Sequence, residues 1–206
     1  MLQWLHRRAL SRRAAGIEDE LRALETEAAA AAEAARGRLF NRAGDLCTAA
    51  GLTRRGVVFY GRAVDAYLEA GYLGPASAMC RKILRSSPGA VRAHCTLACV
   101  AAHEGHAQAV RTEIRFFVEA SRRTRTERLT IPRLRLIGEA VRDGEVKRYV
   151  AAQLLELGDV LGSERILASL EAAAAAGDDE LTPEELQWQR LVRTAALDPD
   201  ELWKYA

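Results

Sequence analysis

Strand-forming sequence is nearly missing from this chain of 206 residues. Val57-Val58-Phe59-Tyr60 is the one short β-prone run, and it lies inside a helical period. Aromatic residues make up only 6% and there are five prolines, so few positions interrupt a helix. Four cysteines in so long a chain do not make a disulfide framework, and reduced, buried thiols are expected. No apolar run approaches the roughly 18–20 residues that cross a bilayer; the alanine runs at 28–32 and 172–176 are short and weakly apolar. The opening Met-Leu-Gln-Trp-Leu-His-Arg-Arg leads into no signal-peptide core, which predicts a cytoplasmic protein with no membrane span. Gly-rich phosphate loops, HExxH, GxSxG, Ca²⁺ loops and CxxC knuckles are all lacking. The expectation is therefore a chain that is not an enzyme and has no catalytic, cofactor or metal residues.

What is present is alanine and leucine, the strongest helix formers, of which alanine lets helices approach closely. The net charge of +2 is unevenly spread. Residues 1–15 hold four arginines and no acid, residues 121–135 hold six arginines and Glu127, and residues 171–206 hold nine acids and three bases.

Gly71 and Gly105 stand thirty-four residues apart in nearly the same apolar frame. The first reads Tyr60, Ala63, Val64, Tyr67, Gly71, Ala76, Cys80, Ile83; the second reads His94, Leu97, Ala98, Ala101, Gly105, Val110, Ile114, Phe117. Helical spacings around a turn glycine at this period mark a helix–turn–helix repeat. A third, looser frame runs Val150, Ala151, Leu154, Gly158, Ser163, Leu167, Leu170, and Phe40, Ala43, Gly44, Cys47, Gly51 begin an earlier one. Helices are expected near 55–70, 74–86, 90–104 and 107–121. The Arg/Thr-rich stretch 121–130 reads as a break, after which Pro132 would open a new helix that ends at Asp143-Gly144. Upstream, residues 1–36 read as one helix or two, broken at Gly16. Leu10, Ile17, Leu24 and Ala31, beside Ala14, Leu21, Ala28 and Ala35, form a heptad seam. That seam predicts either a cap on the first repeat or self-association through residues 10–35.

The order Tyr60, Ala63-Val64, Tyr67, Gly71, Ala76, Cys80, Ile83, Pro88 resembles the tetratricopeptide repeat family. The chain departs from that family's pattern in having neither its tryptophan nor its full Leu-Gly pair. The resemblance covers about residues 39–177 and implies an all-α solenoid of helix–turn–helix hairpins. About seven to nine antiparallel helices are expected. The predicted organisation is an N-terminal helical segment (1–37), a repeat domain (38–177) and acidic C-terminal capping helices (178–206). In the last of these, Thr182-Pro183-Glu184-Glu185 reads as a helix start, and Trp188, Leu191, Trp203 and Tyr205 supply apolar surface. Such a stack implies a scaffold or adaptor that holds a peptide segment or folded partner in a groove, in a bacterial-type cytoplasmic complex.

Arg122, Arg123, Arg125, Arg128, Arg133 and Arg135 are the candidate partner-binding residues, because guanidinium forks suit carboxylates and phosphates. Two readings stand beside a protein partner: a nucleic-acid or phosphate-binding regulator that uses this basic segment, or a solvated loop paired with the chain's own acidic tail. Cys95, Cys99 and His103 follow at i, i+4 spacing with His106 beyond the turn, which leaves a zinc or redox site as a minor alternative to buried core thiols.

Overall fold

A computed structural model describes residues 2–141 and 143–176, with side chains from residue 14 to residue 172. Every regular element among them is an α-helix, and there are nine. They fall into two compact units divided at Ser87–Pro88. The first holds α1 (Leu2–Ala30), α2 (Glu33–Ala49), α3 (Thr53–Glu69) and α4 (Leu73–Ser86). The second holds α5 (Val91–His103), α6 (Ala107–Thr124), α7 (Glu127–Ala140), α8 (Gly144–Glu156) and α9 (Val160–Ala176). Within each unit, helices adjacent in sequence pack on one another, as the all-α repeat reading expected. No helix among the described residues is long and apolar enough to cross a membrane. The acidic segment 178–206, expected to cap the repeats, lies outside the described residues.

The turn glycines work as the frame implies. Gly51, Gly71, Gly105 and Gly158 take φ of 78°, 74°, 72° and 83°, a left-handed conformation that a side chain disfavours. At each, the glycine N–H bonds the carbonyl three residues back, and the next N–H bonds the carbonyl five residues back. Gly71 N to Leu68 O is 3.0 Å and Tyr72 N to Tyr67 O is 2.8 Å. This paired closure is the Schellman motif, and it satisfies carbonyls that the helix end leaves open. A fifth copy joins α6 to α7, with Arg125 at φ 57° in place of glycine and Thr126 N bonded to Ser121 O at 3.0 Å.

That fifth turn corrects the expectation for residues 121–130. The stretch is helical but for Arg125 and Thr126, because α6 runs on to Thr124 and α7 starts at Glu127. Ser121, Thr126 and Thr130 replace apolar spacing with a buried hydroxyl chain, in which Thr130 Oγ1 donates to Ser121 Oγ at 2.7 Å. Pro132 is likewise not at a helix start but inside α7. Proline there disturbs the backbone ladder, and Arg133 Nη1 donates to Leu129 O at 2.6 Å beside the disturbed turn. Asp143 does not end α7; its carboxylate accepts from Val146 N and starts α8.

In the first unit, glycines on α2 set the helix spacing. A Cβ at Gly44 would lie 2.5 Å from the Tyr60 ring, and one at Gly37 would lie 2.7 Å from the Tyr67 ring. Two glycines seven residues apart thus receive two tyrosines seven residues apart on the antiparallel α3. Both tyrosines are core residues, as their frame positions predict. The Tyr60 hydroxyl donates to Asp45 Oδ1 at 2.7 Å, and Lys82 Nζ on α4 donates to Asp45 at 2.6 Å and to Asn41 Oδ1 at 2.8 Å. Burial opposes the Asp45 charge, but the Lys82 and Tyr60 hydrogen bonds outweigh it and hold its carboxyl below the usual range.

The N-terminal helix runs unbroken through Gly16 and ends at Ala30, so the boundary expected at 37/38 falls inside α2. Its seam from Ile17 through Leu21, Leu24 and Ala28 is turned inward, with Leu21 and Leu24 packed on Ala43, Cys47 and Phe59. Arg55 bonds Glu18 at 2.5 Å and Arg62 bonds Glu25 at 2.8 Å, each pair thirty-seven residues apart, so α1 and α3 run in the same direction. These ion pairs are half exposed and contribute under about 1 kcal/mol each. Each buried leucine contributes about 2 kcal/mol, so the apolar seam dominates the docking. The seam caps the first hairpin, and the part expected to self-associate is already covered from Leu21 to Ala28.

Three outcomes follow for stability. Gly44→Ala should lower it, since overpacking of about 1–3 kcal/mol exceeds the helix-propensity gain of about 1 kcal/mol. At Gly16 nothing lies within 4 Å, and Gly16→Ala should raise stability by about 0.5–1 kcal/mol. Arg125→Gly should also stabilise, by about 0.5–1 kcal/mol, because relief of the left-handed strain exceeds the entropy lost by a new glycine. Urea denaturation midpoints of the three variants check all of this.

Candidate partner-binding surface

The six arginines read from sequence as one block are separated by the fold. Arg133 is buried against its own helix. Arg135 clamps Asp159 with two bonds, Nε to Oδ2 at 2.6 Å and Nη2 to Oδ1 at 2.5 Å. Asp159 also accepts from Gly162 N at 3.2 Å and so holds the first turn of α9. Its carboxyl is held below the usual range, first by the Arg135 hydrogen bonds. Arg122 reaches Glu156 on α8 at 3.2 Å. That leaves Arg123, Arg125 and Arg128 exposed around the α6–α7 turn, and none of them has an ion pair among the described residues.

A second basic feature escaped the sequence reading. Gln108, Arg111, Thr112 and Arg115 of α6 and Tyr149 of α8 line a cleft of about 310 Å³. The geometry follows from the helix order. Arg122 pairs with Glu156, and Arg115 lines one cleft with Tyr149, each two residues thirty-four apart, so α6 and α8 run parallel to each other. Arg111, Arg115 and Arg122 share one face of α6 at helical spacing, so Arg111 and Arg115 point along the cleft while Arg122 closes on Glu156.

The cleft arginines are poised for an anion. Arg111 Nη2 donates to Gln108 Oε1 at 3.1 Å, and its buried Nε has no hydrogen-bond partner. The Arg115 guanidinium stands 5.1 Å from the Phe116 ring centroid. Neither arginine meets a carboxylate among the described residues. Burial raises the pKa of the Tyr149 phenol and keeps it a neutral O–H donor. Two guanidinium forks, a phenol and the Gln108 and Thr112 side chains together suit carboxylate or phosphate oxygens. The signal was in the sequence as Arg111 and Arg115 at i, i+4, but Tyr149 lies thirty-four residues away and only packing joins them.

The cysteine–histidine set differs in burial. Cys95 and Cys99 are buried, while His103 and His106 are exposed. A hydrogen bond with Cys99, with the nearby Arg133 and Arg92 charges behind it, lowers the Cys95 pKa despite burial. Among the described residues no group of three His, Cys, Asp or Glu side chains could hold a metal ion. His94, a frame position in the second repeat, is buried between Glu113 (Nδ1 to Oε2, 2.8 Å) and Pro88 O (Nε2, 3.1 Å). Leu155 on α8 and Val160, Leu161 and Leu167 on α9 are exposed apolar residues, and Leu167 thus departs from its frame position. Trp188, Leu191, Trp203 and Tyr205, expected to pack here, lie outside the described residues.

The Asp159 clamp makes stability depend on pH in a defined direction. A carboxyl whose folded pKa is depressed stabilises above its unfolded value, near 4, and loses that contribution as pH falls through the folded value. Asp159→Asn keeps an N-cap acceptor but removes the charge. Native protein should therefore exceed Asp159→Asn in urea midpoint at pH 6, and the gap should shrink as pH falls below about 4.

Compared with known proteins, the chain matches no protein-family model, no curated protein and no solved structure.

Proposed function

We propose that the protein is a non-catalytic scaffold or adaptor that binds a carboxylate-bearing segment of a partner protein in a cytoplasmic complex. The observation that carries this reading is the α6–α8 cleft, where Arg111 and Arg115 stand beside Tyr149 with no carboxylate partner among the described residues. A rigid helical wall suits such a role because it positions donors without reorganising on binding. The resemblance of Tyr60–Pro88 to the tetratricopeptide repeat points the same way, as an analogy at the level of fold. One further finding favours binding over chemistry: the four thiols are buried.

The nucleic-acid reading draws on Arg123, Arg125 and Arg128 alone, because Arg122, Arg133 and Arg135 are engaged within the chain. Three guanidinium groups without interleaved aromatics form a small footprint for a phosphate backbone.

Cross-linking in the native cell, followed by purification of the full chain and mapping of the cross-linked residues, separates these readings. The scaffold reading expects acidic segments of a partner protein joined to α6 and α8, with yield falling several-fold when Arg111→Gln and Arg115→Gln are combined. Nuclease-sensitive recovery that depends on Arg123 and Arg128, with no change on losing Arg111 and Arg115, overturns it in favour of nucleic acid.

A further inference from the structure

The α6–α8 cleft offers more donors than one carboxylate can use. A guanidinium carries about five N–H groups, and among the described residues the Arg111–Arg115 pair uses one, Arg111 Nη2 on Gln108 Oε1 at 3.1 Å. The buried Arg111 Nε has no hydrogen-bond partner. Because Gln108 accepts through its oxygen, its amide N–H groups remain to donate. Tyr149 adds a phenol O–H from the α8 wall. Phe116, packed against the His94 ring at 5.3 Å between centroids, backs Arg115 and limits the freedom of its guanidinium before any ligand arrives. Charge is also graded along the cleft. Beyond burial, Tyr149 feels the charges of Arg115, Glu156, Glu119 and Arg111. Because α6 and α8 run parallel, both glutamates lie toward the C-terminal ends of these helices, and Glu156 is paired with Arg122. Gln108 and Arg111 lie in the first two turns of α6, which opens without a side-chain cap. A helix N-terminus favours anions, so the arginine end of the cleft is the end that attracts negative charge.

Resting on the scaffold reading of this cleft, we infer that the group it holds best is a phosphomonoester, so that the partner's acidic segment binds when one of its serine, threonine or tyrosine side chains is phosphorylated. A carboxylate has two oxygens and a single charge, and one guanidinium fork satisfies it. Bound here, it leaves the second guanidinium without a counter-charge inside the cleft. A phosphomonoester brings three terminal oxygens and a charge of about −1.5 to −2 at neutral pH, which matches two guanidinium groups. Arg111 and Arg115 stand one helical turn apart, roughly 5–6 Å between Cβ atoms, while Tyr149 comes from the neighbouring helix. Donors at three separate positions suit the three oxygens of a tetrahedral group better than two oxygens in one plane. A cleft of about 310 Å³ admits a phosphorylated side chain. Phosphorylation of the partner then switches its binding on, through charge-assisted hydrogen bonds that the unmodified segment cannot form.

The test uses three fluorescein-labelled peptides, Gly-Glu-Ala-X-Ala-Glu-Gly, with phosphoserine, glutamate or serine at X, titrated by anisotropy into full-length chains. The chains are native, Arg111→Gln with Arg115→Gln, and Arg123→Gln with Arg128→Gln, the last removing the same charge outside the cleft. Circular dichroism and thermal melts establish that each remains folded. The phosphoserine peptide should bind the native chain about tenfold tighter than the glutamate peptide, lose that advantage when Arg111 and Arg115 are replaced, and keep it when Arg123 and Arg128 are replaced. Equal affinity of the phosphoserine and glutamate peptides, both lost with Arg111 and Arg115, overturns the phosphate preference and leaves the cleft a carboxylate site. Phosphoserine binding that survives the cleft replacements places the ligand elsewhere and overturns the inference. An equal loss with Arg123→Gln and Arg128→Gln overturns it too, because net charge alone then explains the binding. Inorganic phosphate that binds as tightly as the phosphoserine peptide overturns a partner segment as the source of the group. No binding of any peptide also overturns the inference, and the cross-linking result then decides the scaffold reading by itself.

Discussion

Five of the helix–helix connections among the described residues depend on a helix being ended and reversed within two or three residues. The Schellman closure does this by placing one residue at positive φ, so that two backbone N–H groups turn back onto carbonyls the helix leaves open. Four of the five turns meet the steric demand with glycine, and the fifth places Arg125 in the same conformation. Because the connections are so short, each helix within a unit lies against the one before it, and the core of each unit follows from that proximity.

Side-chain size then decides how close two helices come. Gly37 and Gly44 give up side chains on α2 so that Tyr67 and Tyr60 of α3 can seat against the backbone. The tyrosine at the closer contact keeps its hydroxyl satisfied through Asp45, which also anchors Lys82 of α4. An apolar close contact and a polar clasp thus share one residue. In the second unit the same logic appears where Gly138 admits Ile166 and Val150. The polar clasp there is Arg135 on Asp159, which ties α7 to the first turn of α9.

The arginines show how a fold redistributes charge that looks continuous along the chain. Residues 122–135 cover two helices and a left-handed turn, so their side chains leave in different directions and meet different partners. One is buried, two are paired with acids on α8 or at the head of α9, and three face solvent. Meanwhile Arg111 and Arg115, outside that block, are drawn beside Tyr149 by the stacking of parallel helices. A cleft of this kind owes its chemistry to helix order.

Local sequence determined the helical class and most helix positions, because apolar spacing, alanine content and turn glycines act within a few residues. The frames around Gly71 and Gly105 placed α3 through α6 closely, and the heptad stripe of α1 marked the face that is buried. What the pattern misplaced lay where polar residues carry structure. Ser121, Thr126 and Thr130 sustain the α6–α7 corner through hydroxyl bonds that no apolar period reveals, and Pro132 is tolerated inside α7. The cleft was illegible for a different reason. Arg115 and Tyr149 stand thirty-four residues apart, and only the packing of α6 beside α8 makes them neighbours. Periodicity reports which face of a helix is buried; which exposed faces meet is decided by how the helices stack.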